Sequence, residues 1–164
     1  MPTVELPHTR GCLVCGRDNP HGLHLDFHVD DAGVVGCTFV PQPHHIGFQG
    51  VIHGGLLATV VDEAMVWAAT WSGKRFCVCG ELNVRYRQVV KVGQTLRIKA
   101  KITSSRPRLI VAESSITDDA GTMLVTATAK YVPLSLDENR AFVATLVDEP
   151  KTAQTRALLQ NAAR

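Results

Sequence analysis

His53-Gly54-Gly55-Leu56-Leu57-Ala58-Thr59-Val60-Val61-Asp62-Glu63-Ala64-Met65 is the stretch on which the fold turns. It runs on, mostly apolar, to Trp71. Ala, Leu and Met favour helix, and the window is too long for one strand, so Leu56 to Trp71 reads as the only long helix of the core. Because it is apolar nearly all round, it must be covered on more than one side. Asp62 and Glu63 near its middle would be costly in lipid, which makes it a buried helix rather than a membrane span.

The start of this helix and its middle carry the chemistry. His53-Gly54-Gly55 stands where a loop becomes a helix, so the first backbone N–H groups have no partners within the helix, and the glycines leave them approachable. Such an end receives a carbonyl oxygen or an anion. An isolated Gly-Gly pair also serves simply as a tight entry turn. Asp62 adds weight to the functional reading, since a carboxylate two turns into an apolar helix costs several kcal/mol to bury unless it is paired or has a task. Glu63 is rotated from it by about 100° and cannot point the same way, so one of the two is the candidate reactive group while the other faces a rim or an ion pair. From Gly54 or Gly55 to Asp62 is roughly 11 to 12 Å along the axis. One carboxylate cannot serve a carbonyl held at its own helix end over that span, so if both groups work on one substrate two chains must cooperate, and a two-fold dimer makes two such sites.

Strands flank the helix on both sides. Leu23, Leu25, Phe27 and Val29 alternate with His24, Asp26 and His28, the period of a strand with one buried face. A turn at Asp30 to Gly33 leads to a partner strand at Val34 to Val40. After the helix come strands at about Phe76 to Gln88, Thr95 to Ser105, Leu109 to Thr117 and Thr122 to Val132, with turns marked by Lys91-Val92-Gly93, Arg106-Pro107 and Asp118-Asp119-Ala120-Gly121. The expected class is therefore α+β, a curved antiparallel sheet wrapped around one long central helix. Residues 1–21, rich in Pro, Gly, Cys and His, read as an irregular N-terminal arm and 22–134 as the domain. Residues 135–164 read as a polar, Ala-rich surface appendage with a short helix over Thr152 to Arg164.

With 164 residues, 45% of them hydrophobic, the chain holds one domain with enough apolar mass for a single core. Seventeen Lys and Arg against fifteen Asp and Glu leave a formal charge of +2, which argues against nucleic acid as a partner. The first residues show no basic start followed by an apolar run, so no signal peptide is expected and the cytoplasm is the expected location. Five cysteines, an odd number, do not suggest a disulfide framework.

The string from His53 to Met65 resembles the core motif of hotdog-fold acyl-CoA thioesterases of the phenylacetyl-CoA thioesterase-like (PaaI-like) branch. Glu81-Leu82-Asn83-Val84-Arg85-Tyr86 with Val92-Gly93-Gln94 is similar to the strand and turn that follow the helix in that family. Cys12-Leu13-Val14-Cys15-Gly16 with Asn19-Pro20-His21-Gly22-Leu23 resembles the arm of a bacterial subgroup. The resemblance, from about Cys12 to Leu134, implies thioester hydrolysis to a carboxylic acid and free coenzyme A, with no metal or redox cofactor. It also implies a homodimer or dimer of dimers with active sites at the subunit interface. Carried over by position, Gly55 donates its N–H to the thioester oxygen, Gly54 shapes the turn and His53 fixes it. Asp62 of the second chain activates water or attacks the carbonyl. Glu63 and Asn83 are expected as substrate contacts. Several relatives have Asn or Gln six residues before the His; this chain has Gly47, with Gln49 or His45 to substitute. Some have Ser or Thr near Cys79, whose thiol is a weaker hydrogen-bond partner. The alternative is a non-catalytic acyl-CoA binding or sensor protein on the same fold.

Cys12 and Cys15 have the spacing of half a zinc site, with His8, His21 and His24 nearby in sequence. No second close pair of ligands follows, so the turn reads as structural and no metal is expected. Cys77 and Cys79 share one face of a strand and read as small buried hydrophobes.

Overall fold

Helix α1, Gly54–Gly73, extends beyond the expected Leu56–Trp71 at both ends in the computed structural model, which describes residues 3–163. Met1, Pro2 and Arg164, which belong to the expected arm and tail, lie outside that range. The helix ends where Lys74 turns left-handed (φ 51°) and donates its N–H to Thr70 O. Its buried residues Leu57, Val60, Val61, Ala64, Met65, Trp67, Ala68 and Ala69 form the centre of the core.

Nine short and long strands surround it among the described residues: β1 (Thr3–Glu5), β2 (His28–Asp30), β3 (Val35–Phe39), β4 (Ile46–Phe48), β5 (Val51–Ile52), β6 (Cys77–Tyr86), β7 (Leu96–Arg106), β8 (Leu109–Thr117) and β9 (Met123–Pro133). Seven form one antiparallel sheet in the order β1-β2-β3-β7-β8-β9-β6, while β4 and β5 make a separate hairpin. Helix α1 touches β3, β6, β7, β8 and β9. One helix reaches five strands of a single sheet only if the sheet curls about it, which is the α+β architecture expected.

Along β7, Leu96, Ile98 and Ala100 face the helix, as do Ile110, Ala112 and Ile116 of β8 and Ala127, Ala129 and Tyr131 of β9. The alternation that identified these strands is thus the alternation of core and solvent. An extra residue breaks it once in β6. Cys79 pairs with Tyr131 and Glu81 with the adjacent Lys130, so Gly80 is bulged out. Beyond the bulge Glu81, Asn83 and Arg85 share the outer face with Lys130, Thr128 and Thr126, while Leu82 and Val84 turn inward.

The expected strand from Leu23 to Val29 forms only at His28–Asp30. Leu23 N and Leu25 N donate instead to Leu13 O and Val14 O, so this alternating segment is laid against the N-terminal arm rather than into the sheet. Nor is the arm irregular throughout, since Thr3–Glu5 extends the sheet beside β2.

The C-terminal segment departs further from expectation. It is no surface appendage. Helix α2 (Leu136–Val143) is closed by a capping box between Ser135 and Glu138, and α3 (Ala153–Ala162) follows. Buried Asn139 accepts the Phe76 N–H at 2.8 Å through Oδ1, anchoring α2 to the start of β6. Thr155 Oγ1 donates to Glu5 O at 2.7 Å, and Val147 N to His8 O at 2.8 Å, so tail and arm bind each other. No described helix is long and apolar enough to cross a membrane.

His8 sits in this junction, 2% exposed, its Nε2 3.2 Å from Asp26 and 3.8 Å from Glu149, with Arg17 and Lys151 near. Burial, then the Arg17 charge, holds its pKa below the usual 6.5 despite the two carboxylates. The unfolded chain therefore takes up a proton near pH 6.5 that the fold resists, and stability falls as pH drops from there toward the folded value. Urea midpoints measured across this window should decline in the wild type and decline less in His8→Phe. Independently, Asn139→Ala leaves the buried Phe76 N–H without an acceptor and should cost about 1–3 kcal/mol in the same assay.

Candidate active site

The segment from Gln42 to Gly55 shapes the helix entry. Pro43–His45 forms a single tight turn in which His45 Nδ1 accepts the Gln42 N–H at 2.9 Å. The His45 ring lies tilted against Phe39, and its backbone carbonyl accepts the His53 N–H at 3.0 Å. This places His45 beside the helix entry. Gln49, with Gly50, forms the left-handed tip of the β4–β5 hairpin (φ 40° and 78°), exposed and without a side-chain hydrogen bond among the described residues.

His53 caps the helix: its Nδ1 accepts the Gly55 N–H at 3.0 Å. An Nδ1 that accepts carries no hydrogen, which places the ring's N–H at Nε2. The arrangement changes which glycine can act. The Gly55 N–H, expected to face the substrate, is engaged by His53, whereas the Gly54 N–H has no acceptor among the described residues. On the other side of the turn, Tyr86 at the end of β6 donates its hydroxyl to Gly54 O at 2.7 Å. A Cβ on Gly47 would lie 3.0 Å from the His53 ring and 3.1 Å from its Cα, so a side chain at position 47 would require His53 to give by a few tenths of an ångström.

Two turns on, Asp62 is half-buried. Buried Tyr131 donates its hydroxyl to Asp62 Oδ1 at 2.7 Å and lies 3.1 Å from the Asp62 carbonyl oxygen. Burial first, and then the hydrogen bond and charge of Asp62, push the Tyr131 hydroxyl far above the ordinary phenol range, so it remains a donor at any working pH. Cys79, opposite Tyr131 in the β6–β9 ladder, donates its thiol to Glu81 O at 3.6 Å and lies within reach of the Asp62 charge. Its pKa is pushed up to about 11, by burial and then by the Asp62 charge, which leaves a neutral thiol rather than a nucleophile. Asp62 is therefore a half-buried carboxylate fixed by the Tyr131 hydroxyl.

Glu63 belongs to a different group. It accepts from Trp67 Nε1 at 3.1 Å and from Cys12 Sγ at 3.4 Å, both through Oε1. Burial raises its pKa to about 8. The rotation that separates neighbouring helical residues turns Glu63 to the arm, so the structure does not place it as a substrate contact beside Asp62. Asn83 is also elsewhere. The bulge at Gly80 puts it on the outer face of the sheet, where its amide donates to Glu81 Oε1 at 3.0 Å beside a groove lined by Arg85, Arg97, Lys99 and Lys101.

The structure thus collects His45, His53, Gly54 and Gly55 at the helix entry, and Asp62 with Cys79 in mid-helix. Sequence reasoning gave no role to Tyr131 or Tyr86. For Tyr131 a signal existed: it follows Ala127 and Ala129 on the helix-facing side of β9, and a buried phenol among alanines needs an acceptor.

Residues 49–125 match the family model of the thioesterase superfamily. A relative from Xenopus laevis, acyl-coenzyme A thioesterase THEM4, is 29% identical over 104 residues, which cover 60% of this chain and 44% of that protein. The match therefore spans less than half the length of that relative. Among solved structures, a thioesterase superfamily protein, RHA08564, superposes with a TM-score of 0.71 at 24% identity, over 75% of this chain and 63% of the other. The smu.793 protein of Streptococcus mutans UA159, solved bound to acetyl CoA, gives 0.63 at 20% identity over 68% and 89%. A single long helix wrapped by an antiparallel sheet and opened by His53-Gly54-Gly55 gives this chain the hotdog fold of these thioesterase-superfamily structures, and its residues 49–125 match that superfamily's model.

Proposed function

We propose that the chain is an acyl-CoA thioesterase acting as a dimer, in which the helix entry of one copy and Asp62 of the other converge on one thioester. The observation that carries the reading is the pair of half-sites on one helix: a Gly54 N–H without an acceptor among the described residues at its start, and a carboxylate held by the Tyr131 hydroxyl eight residues on, about 12 Å away. Neither half is sufficient, and the distance prevents one chain from using both on one carbonyl.

The surface left open supports a second copy. Strand β6 is a free edge of ten residues, mostly exposed. Along α1, Gly54, Ala58, Asp62 and Val66 lie on one stripe and are only partly covered. Long free edges favour pairing, and a two-fold axis repeats the same contacts in both copies.

In the reaction, Gly54 donates its N–H to the carbonyl oxygen as negative charge develops there. Asp62 of the other copy takes a proton from water as the oxygen attacks the carbonyl carbon; collapse expels the coenzyme A thiolate, which recovers that proton. Direct attack by the carboxylate is the second route, and single turnover in ¹⁸O-water separates them, because only that route labels Asp62. Tyr131 is a positioning residue that aims the carboxylate. The name of the frog relative and the acetyl CoA bound to the streptococcal protein support acyl-CoA as the substrate class.

A specific observation favours the sensor alternative. Position 47 carries no amide side chain and sits tight against His53, and Cys79 is a weak partner for water, so two assisting groups are missing. Thiol release from short, long and aromatic acyl-CoAs decides between the two. Asp62→Asn should lower kcat by about 10²–10⁴-fold with binding retained. Stoichiometric acyl-CoA binding without turnover in the wild type establishes the sensor instead.

Tyr131→Phe removes a hydrogen bond to a charged group, worth about 1.5–3 kcal/mol. Its kcat should fall roughly tenfold to a hundredfold with KM little changed; a change confined to KM would refute the positioning role.

A further inference from the structure

The N-terminal arm meets α1 through sulfur. Cys12-Leu13-Val14-Cys15-Gly16 folds into a tight turn, with the Gly16 N–H donating to Cys12 O at 3.0 Å and the Val14 N–H to Cys12 Sγ at 3.2 Å. A backbone N–H aimed at a cysteine sulfur stabilises the thiolate, the form that binds metal. Gly16 is required by the turn, since a Cβ there would fall 2.4 and 2.5 Å from the Cys12 backbone. Glu63 comes across from the helix, held through Oε1 by the Trp67 indole. The two sulfurs and a Glu63 oxygen all lie within 4.8 Å of one another.

We propose that Cys12, Cys15 and Glu63 are three ligands of a thiophilic divalent cation, Zn²⁺ by ligand preference, that pins the N-terminal arm to α1 one residue from Asp62. The proposal is independent of the thioesterase reading. Sequence spacing set a metal aside because no second close pair of ligands follows Cys15. The fold supplies the third ligand from a residue forty-eight positions later, which spacing rules do not register.

The distances suit tetrahedral zinc. Bonds of about 2.3 Å to sulfur and 2.0 Å to carboxylate oxygen place a sulfur and an oxygen roughly 3.5 Å apart. Cys12 Sγ and Glu63 Oε1 are 3.4 Å apart. Two thiolates and a carboxylate select zinc over magnesium or calcium. Access is provided as well, because Cys12 and Glu63 are only partly buried while Cys15 is 1% exposed, leaving the fourth position to water. The indole that fixes Glu63 acts as its outer-shell partner.

The test is titration of reduced, chelator-treated protein with Co²⁺ as a spectroscopic stand-in, followed by displacement with Zn²⁺. A thiolate-to-cobalt charge-transfer band should grow to about one ion per chain and vanish on adding Zn²⁺. Cys12→Ser should abolish the band. Glu63→Gln retains an acceptor for Trp67 but should weaken the ion by at least about tenfold. Zn²⁺ should also raise the melting temperature of the wild type and not that of Cys12→Ser. Absence of the band in the wild type, or a band that persists in both Cys12→Ser and Cys15→Ser, overturns the proposal; the turn is then a hydrogen-bonded staple. Because every readout is optical or thermal, a failure here is distinct from a failure of thioester hydrolysis.

Discussion

A twenty-residue apolar helix with two adjacent carboxylates in its middle must be wrapped by a sheet and must find partners for both charges. The rest of the molecule follows from that double demand. Wrapping curls seven strands about one axis. The charges, about 100° apart, call for partners in two directions, and the fold answers with two unrelated devices: a tyrosine from the far end of β9 for Asp62, and a sulfur-bearing turn from the N-terminal arm for Glu63. An unpaired carboxylate at either place would cost more than most single contacts in the core contribute.

The helix entry shows how a small geometric choice assigns roles. A histidine as cap uses its unprotonated nitrogen for the second glycine of the turn, and that leaves the first glycine open. Tyr86 and the absence of a side chain at position 47 hold the turn in place around that ring. The choice between Gly54 and Gly55 is therefore one of hydrogen-bond accounting at a helix terminus, where each N–H has one acceptor or none.

The long helix, the hairpins after it and the curl of the sheet were legible because period and turn chemistry agree there. Asp62 was legible for a related reason, as a charge where only apolar residues were expected. What was not legible depended on contacts far apart in the chain. Leu23 to Val29 alternates like a strand but pairs with the arm over most of its length. The tail looked polar because its buried residues include Asn139, Thr152 and Thr155, whose side chains reach backbone groups rather than pack as apolar core. Its helix α2 did announce itself, in Ser135 and Glu138 three residues apart. Glu63 and Asn83 are expected as substrate contacts, and helical rotation and a bulge respectively turn them away from Asp62.

That bulge makes β6 a strand whose residue count matters more than its composition. Gly80 is the supernumerary residue, yet a Cβ there would meet nothing nearer than 3.6 Å, so larger residues fit. A deletion is another matter. Losing one residue between Cys79 and Leu82 would restore simple alternation and exchange inside for outside along one end of the strand. Either Cys79 would leave Asp62, or Leu82 and Val84 would surface while Glu81 and Asn83 turned toward the helix. Across descendants of such a sequence, this segment should tolerate exchange of letters freely and changes of length hardly at all.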